Sequence, residues 1–140
     1  MLFLQRGLGI KDEMSSAKHY ECTVKVEVTF IHDQSDVEHN QYAFAYHVTI
    51  VNTGNVAAQL ISRHWVVTEA NGESKEIRGL GVVGAQPLLK PAEHYEYTSG
   101  TMINTPMGEM HGTYQMVAED GTQFDAVIAP FALAMPRTLH

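Results

Sequence analysis

The chain has 140 residues, a length that fits one domain. Hydrophobic residues make up 44% and charged residues 18%, which is typical of a globular protein and excludes a disordered chain. With a net charge of −7 and only nine Lys and Arg, nucleic acid is not expected as a partner, because phosphate contacts dominate such binding. No apolar stretch approaches the roughly 20 residues of a membrane helix, so we expect no membrane span and a cytoplasmic location.

The N-terminal eighteen residues are predicted to be a flexible tail, because glycines and serines interrupt them and no hydrophobic period is sustained. Met14 is a second candidate initiator, so residues 1–13 are left out of the fold prediction. The folded domain is predicted over residues 19–136, with a short C-terminal tail at 137–140.

Two runs of extended character open the domain. Apolar and polar residues alternate strictly from Cys22 to Phe30, which predicts an amphipathic strand with one buried face. Cys22 is the only cysteine, so an intrachain disulfide is excluded, and a small buried residue is favoured over a reactive thiol. Residues 42–51 carry aromatic and β-branched side chains on both faces, which predicts a central strand.

A hairpin is predicted next. The run 59–69 is followed by Asn71-Gly72, a dipeptide that favours a two-residue turn because both positions accept a positive φ. Residues 74–78 are predicted to form the returning strand.

The second half of the domain alternates loops with strands. Glycines and prolines crowd residues 79–92, which predicts a long shaped loop, and residues 94–99 alternate again as a strand. A second loop is predicted from Gly100 to Met110. A final hairpin joins residues 112–119 to 123–129 through Asp120-Gly121.

Seven or eight short strands with no helix of ten residues predict an all-β, antiparallel β-sandwich. A fibronectin type III-like (immunoglobulin-like) sandwich fits this pattern. A true antibody-type domain is excluded, because its cysteine–tryptophan–cysteine framework is missing.

The most specific motif is a glycine string of the form G-x-G-x-x-G at Gly79, Gly81 and Gly84. In dinucleotide-binding folds this string lies between a strand and a helix, whose N-terminus holds the pyrophosphate. Here Pro87 and Pro91 follow and no helical period begins, so we reject a dinucleotide-binding fold.

The same loop is still a candidate anion site, because glycine-rich backbone can expose N–H groups to a phosphate. Arg78 precedes the string, and Arg63 and His64 are expected nearby across the predicted hairpin. The competing interpretation, which we favour, is a tight loop that needs glycine for backbone reasons alone.

Metal and catalytic signals are weak. The loop 32–39 gathers histidine and carboxylate donors, and Met102, Met107, Met110 and His111 are soft ligands in principle. A solvated loop and core methionines are the favoured interpretations, so we expect no cofactor, with a weak divalent-cation site as the alternative.

No nucleophile motif or converging acid–base pair is recognisable, so no catalytic residue is predicted and the chain is not expected to be an enzyme.

Four stretches in this order resemble signatures of the ApaG family: 59–65 (QLISRHW), 78–87 (RGLGVVGAQP), 95–100 (YEYTSG) and 110–116 (MHGTYQM). The resemblance runs from about Tyr20 to Pro136. One residue departs from the family pattern, since Ala92 stands where the family usually has glycine after Pro91.

This resemblance implies a fibronectin type III-like sandwich in a bacterial cytoplasmic protein that is often a dimer. It also implies a link to cobalt resistance and magnesium efflux. Related domains are attached to some larger proteins, where they resemble protein-binding modules. The family's glycine string has been suggested as a pyrophosphate contact, which corresponds here to Gly79, Gly81 and Gly84.

Three hypotheses about function follow. The first is a non-enzymatic interaction module with a protein partner, in an accessory role in cation efflux. The second is a nucleotide or dinucleoside polyphosphate sensor that uses the glycine loop. The third is direct handling of divalent cations.

Overall fold

The computed structural model describes residues 17–137, which form two antiparallel sheets and two short 3₁₀-helices. No helix in this part of the chain is long and apolar enough to cross a membrane. The predictions about residues 1–16, Met14 included, and about 138–140 fall outside the described residues. The strands are β1 Cys22–Phe30, β2 Tyr42–Asn52, β3 Ala58–Glu69, β4 Ser74–Leu80, β5 Leu88–Leu89, β6 His94–Ile103, β7 Met107–Ala118 and β8 Gln123–Ala134.

The small sheet has the strand order β1-β2-β6, and the large sheet has the order β4-β3-β7-β8, with the short β5 paired to β3. The all-β, two-sheet prediction and the count of seven or eight strands are therefore confirmed. The predicted central strand is also confirmed, since β2 lies between β1 and β6.

The core lies between the sheets and centres on one tryptophan. The ring of Trp65 meets the rings of Tyr46, Tyr114 and Phe131 at centroid distances of 5.4, 6.1 and 5.9 Å, all in edge-on geometry. Cys22 is buried at the rim of this core, and its burial raises the pKa of the thiol to about 11. The interpretation of Cys22 as a buried small residue is thus confirmed.

The predicted two-residue turn at Asn71-Gly72 is wrong. The hairpin loop has three residues, because the N–H of Glu69 donates to the carbonyl of Glu73 at 2.8 Å, and of the pair only Gly72 has a positive φ, 88°. Asn71 keeps an ordinary φ because its side-chain oxygen accepts the N–H of Glu73 at 2.9 Å. The loop at Asp120-Gly121 has the same arrangement, in which only the glycine has a positive φ, 88° at Gly121.

Both predicted long loops are too long. The first, residues 79–92, includes the last two residues of β4 and the whole of β5, and the second shrinks to residues 104–106. Glycines misled the prediction, because Gly79, Gly100 and Gly108 lie inside strands and not in turns. At two of them glycine provides clearance for a neighbouring group, the Arg63 guanidinium at Gly79 and the Thr68 carbonyl at Gly108.

Candidate functional site

The candidate anion residues lie on β3, β4 and the loop after β4. Arg63 and His64 are neighbours in β3, so their side chains point to opposite faces of the large sheet. Arg63 stands opposite Tyr114, which is fully buried, and therefore lies on the inner face. His64 stands opposite Arg78 on the outer face.

The guanidinium of Arg63 clamps the start of the glycine loop. Its Nη1 donates to the carbonyl oxygens of Leu80 and Gly81 at 2.9 and 2.8 Å. Gly79 makes this possible, since a Cβ at that position would lie 2.7 Å from the guanidinium. The first glycine of the string thus provides space for an arginine that holds the loop against the sheet.

The other two glycines shape the loop itself. Val82 and Ala85 exchange both backbone hydrogen bonds at 2.8 and 2.9 Å, and the two residues between them have positive φ, 45° at Val83 and 79° at Gly84. This is the arrangement of a two-residue type I′ turn, which the sequence prediction had placed at Asn71-Gly72. Gly81, with φ 62°, donates its N–H to Ile61 at 2.8 Å and joins the loop to β3.

This loop is firmly anchored by side chains as well. Val82 is fully buried in the core, Gln86 donates to the Ile61 carbonyl at 2.9 Å, and Gln59 donates to the Gln86 carbonyl at 3.0 Å. Within residues 17–137 no helix follows the glycine string, so the rejection of a dinucleotide-binding fold is confirmed.

On the outer face, Glu76 joins the two remaining candidates. Its carboxylate lies 2.8 Å from Nε2 of His64 and 3.7 Å from the guanidinium of Arg78, whose side chain is 70% exposed. The structure therefore separates the six candidates into two groups. Arg63 lies with the glycine loop, whereas His64 and Arg78 form a cluster around Glu76, a residue that the sequence analysis missed because it takes no part in the glycine motif.

Beneath Arg63 the two sheets are joined by a hydrogen bond between the hydroxyls of Tyr97, on β6, and Tyr114, on β7. Burial raises the pKa of both hydroxyls, and the nearby positive charge of Arg63 acts weakly in the opposite direction. Both tyrosines therefore remain protonated at neutral pH, and their contribution is to hold β6 over the large sheet.

Asn52, the last residue of β2, carries the one buried amide side chain among residues 17–137. Its amide nitrogen donates to the carbonyls of Val56 and Leu89, both at 2.9 Å, and its oxygen accepts the N–H of Gly54 at 3.0 Å. Asn52 therefore anchors β5, and with it the far end of the glycine loop, to the small sheet. The sequence analysis did not single out Asn52, because asparagine is mostly an exposed residue.

Ala92, the departure from the family pattern, has a φ of 72°. That is left-handed backbone, where glycine is favoured and alanine is strained. Glycine, which the resemblance to the family implied for this position, would relieve that strain.

The described part of the chain holds no group of three or more His, Cys, Asp or Glu side chains arranged to bind a metal ion. The methionine candidates are dispersed, since Met110 is fully buried while Met102 and Met107 are exposed. In the loop 32–39, His39 Nδ1 contacts Asp36 at 2.7 Å.

Large aliphatic side chains are exposed around the glycine loop. Leu80, Val83 and Leu88 are 75%, 66% and 58% exposed. Leu80 stands opposite Ser62 and Leu88 opposite Gln59, so both lie on the outer face along the same edge of β3, with Val83 at the turn between them. We call these three residues the apolar edge patch.

Comparison with known proteins places the chain in a family. The ApaG domain matches residues 32–118. The ApaG protein of Methylobacillus flagellatus is 65% identical over 127 residues, which are 91% of this chain and all of that protein. The ApaG protein of Nitrosospira multiformis is 58% identical over the same coverage. A crystal structure from Bordetella pertussis, described under the name ApaA, is 53% identical with a TM-score of 0.83, and the match covers 87% of this chain and 99% of that one. This chain belongs to the ApaG domain family.

Proposed function

We propose that this chain is a non-enzymatic protein-binding module of the bacterial cytoplasm, accessory to cobalt resistance and magnesium efflux. The observation that carries the proposal is the apolar edge patch, in which three large aliphatic side chains stand in solvent on one edge of the large sheet. The link to cation efflux rests on the resemblance to the ApaG family. In this proposal the module binds another protein, and that protein carries out the transport.

The rigidity of the patch supports a binding role. The loop that carries Val83 is fixed by the Arg63 clamp, by the buried Val82 and by the type I′ turn. A preformed apolar surface loses little conformational entropy when it binds, so more of its contact energy appears as affinity. Exposed aliphatic side chains on a free sheet edge are otherwise a hazard for aggregation.

The backbone of Val83 supports the same conclusion. A β-branched residue with φ 45° is strained, whereas glycine or asparagine would fit this turn without strain. Strained backbone often persists at functional sites. The proposal explains the strain, because a valine at the tip presents an aliphatic side chain that glycine lacks. The expected partner is a protein that presents aliphatic side chains to this edge.

The proposal is tested by comparing proteins captured from a bacterial lysate by the wild-type chain and by a variant with Leu80→Ser and Leu88→Ser. Val127→Ser is the matched control, since Val127 is an equally exposed aliphatic residue, at 67%, on β8 at the opposite edge of the large sheet. We expect a protein that is retained by the wild type and by Val127→Ser but lost with the double variant. Equal retention by all three, or no reproducible partner, would refute the proposal.

A second candidate function is a sensor of nucleotides or dinucleoside polyphosphates. The feature that favours it is the tip of the glycine loop, where the N–H groups of Val83 and Gly84 take no part in the loop's backbone hydrogen bonds. Arg78, nearby on β4, carries an exposed positive charge. In this candidate Arg63 holds the loop, since its guanidinium already donates to two carbonyls, and His64 helps from the outer face.

Titration with a dinucleoside polyphosphate, followed by NMR shifts of backbone amides, tests this candidate. Binding is expected to move the Val83 and Gly84 amide signals and to weaken with Arg78→Gln, because a phosphate there loses its exposed cation. Unchanged amide signals at millimolar ligand would exclude it and leave the protein-binding proposal intact.

A further inference from the structure

We infer that the protein partner contributes an extended segment of its chain, which pairs antiparallel with β4 and adds one strand to the large sheet. The inference rests on the protein-binding proposal, since it names the class of partner and the way in which that partner binds. Within residues 17–137, the strand order β4-β3-β7-β8 leaves β4 with a strand on one side alone. Such an edge is a template for a further strand, and several peptide-binding domains recognise extended segments in this way.

The backbone hydrogen bonds at both ends of β4 show which of its groups are free. Glu69 donates to the Glu73 carbonyl at 2.8 Å. At the other end, Gly81 donates to the Ile61 carbonyl at 2.8 Å. Hydrogen-bonded pairs alternate along an antiparallel ladder, so the odd-numbered residues of β4 bond to β3. The even-numbered residues therefore present their N–H and C=O groups to the unpaired side.

The free ladder includes both backbone groups of Glu76, both of Arg78 and the N–H of Leu80. The Leu80 carbonyl is not part of it, because Arg63 donates to that oxygen at 2.9 Å. An antiparallel segment with residues opposite Glu76 and Arg78 makes two backbone hydrogen bonds with each of them. Backbone pairing of this kind provides affinity, so specificity depends on the side chains.

The side chains along β4 define which segment fits. Those of Glu76 and Arg78 are 58% and 70% exposed, and like charges directly opposite each other are destabilising. The segment therefore needs a basic residue opposite Glu76 and an acidic residue opposite Arg78. Ile77, between them, is 37% exposed and favours an aliphatic residue. Leu80, which belongs to the apolar edge patch, favours a second one.

These requirements give the segment a direction and an order. Because the segment runs antiparallel to β4, its first residue lies opposite Leu80 and its fifth lies opposite Glu76. The order over five residues is aliphatic, unrestricted, acidic, aliphatic and basic. The strand pairing is continuous with the apolar edge patch, since the first residue contacts Leu80.

β6 provides an internal comparison, because it is an edge strand of the small sheet. Asn52 donates to the Glu93 carbonyl at 3.0 Å, so the even-numbered residues of β6 face away from β2. Over residues 94–100 these even-numbered residues carry no aliphatic side chain, and they include Gly100. β6 thus presents free backbone groups without the apolar contacts that β4 offers, and it serves as the control edge.

The test is an NMR titration of the full chain with a capped peptide whose order is valine, threonine, glutamate, valine, lysine. The peptide is added up to about 5 mM, because so short a ladder gives a small interface and weak binding. We expect saturable shifts of the amide signals of Glu76, Arg78 and Leu80. A peptide of the same composition with glutamate and lysine exchanged is expected to bind at least about fivefold more weakly, because it sets like charges opposite each other.

Variants of the edge test the register and the strand. Glu76→Arg/Arg78→Glu is expected to reverse the preference between the two peptides. Arg78→Pro is expected to abolish binding, because it removes an N–H that faces away from β3 and spares the ladder to β3. Thr98→Pro is the matched control, since it removes the corresponding N–H on β6, and it is expected to bind like the wild type. Circular dichroism checks that every variant is folded.

The inference is overturned if neither peptide moves the amide signals of β4, if both peptides bind equally, or if the charge-exchanged variant keeps the wild-type preference. Loss of binding in Thr98→Pro but not in Arg78→Pro would also overturn it. Capture from a lysate separates its failure from that of the protein-binding proposal. A protein that is lost with Leu80→Ser/Leu88→Ser but retained by Arg78→Pro would support that proposal and overturn the strand pairing.

Discussion

The two long sides of the sandwich differ in how they are closed. On one side the edge strands β1 and β8 pack against each other, so each sheet covers the other's edge. On the other side β4 and β6 are joined by few contacts, one of them from Lys75 Nζ to the Met102 carbonyl at 3.4 Å. We call these the closed side and the open side.

Side chains of residues that precede β1 contact side chains of residues that follow β7 and so cover the closed side. Tyr20 stacks near Phe124 at 6.0 Å between ring centroids, and its hydroxyl donates to Asp120. Lys18 reaches the same carboxylate at 2.8 Å. These contacts join the start of the described chain to the β7–β8 hairpin.

The open side carries the features that a ligand or partner needs: exposed aliphatic residues, an unpaired strand and a strained turn. The comparison teaches that the charge pattern of a strand does not reveal whether its edge is covered. β1 and β4 both carry opposite charges two residues apart, yet β1 packs against β8, whereas β4 has a strand on one side alone. The predictions below test this difference, beginning with the residue that anchors the open side.

Replacement of Asn52 by alanine is expected to lower the free energy of unfolding by about 3 kcal/mol, because three hydrogen bonds of a buried amide side chain are lost. Urea denaturation measures the change. Asn71→Ala is the control, since that exposed side chain makes one backbone hydrogen bond in a surface loop. A loss below about 1 kcal/mol for Asn52→Ala would show that β5 is anchored in some other way.

Arg63→Ala is expected to destabilise the protein by about 2 kcal/mol, because the two hydrogen bonds from a charged donor to the loop carbonyls are lost. Hydrogen exchange of the amides from Gly81 to Ala85 is expected to accelerate as well. Arg78→Ala makes the same change in chemistry on the outer face, where the side chain is exposed, and is expected to change stability by about 0.5 kcal/mol or less. Equal effects of the two variants would mean that Arg63 does not clamp the loop.

Much of the fold could be predicted from sequence, because period-two alternation determines which face of each strand is buried. The pairing of β2 as a central strand and the sharing of one face by β7 and β8 follow from that rule. The candidate site was harder to predict. Gly79 looks like a loop residue until Arg63 is seen lying across it, and Glu76 looks like an ordinary exposed residue until it is seen between His64 and Arg78. These roles depend on register between strands, which a single strand's pattern does not contain.

Val83→Asn is expected to raise the free energy of unfolding by about 1 kcal/mol, since asparagine tolerates the left-handed backbone that strains a β-branched residue. The exposed valine contributes little to the core, so its removal costs little in return. The same variant is expected to bind the partner less well, because the apolar tip of the patch is lost. Thermal unfolding measures the change in stability, and titration with the partner measures the change in affinity. A variant that is less stable than the wild type and binds the partner equally well would contradict the explanation of the strain.

The smallest effect is expected on the closed side, from Asp120→Asn. Hydrogen bonds from Lys18 and Tyr20, and then from Thr122, hold the pKa of Asp120 well below its usual value of 3.8. A carboxyl whose pKa is lowered by folding stabilises the protein above the unfolded-state pKa, and that contribution disappears as pH falls through the folded-state pKa. The wild type should therefore lose more stability than Asp120→Asn between about pH 5 and about pH 2, as measured by urea denaturation at each pH. Asp33→Asn, which removes a fully exposed carboxylate, should follow the wild-type curve. Parallel curves for the wild type and Asp120→Asn would show that the closed side is held by the packing of β1 on β8 alone.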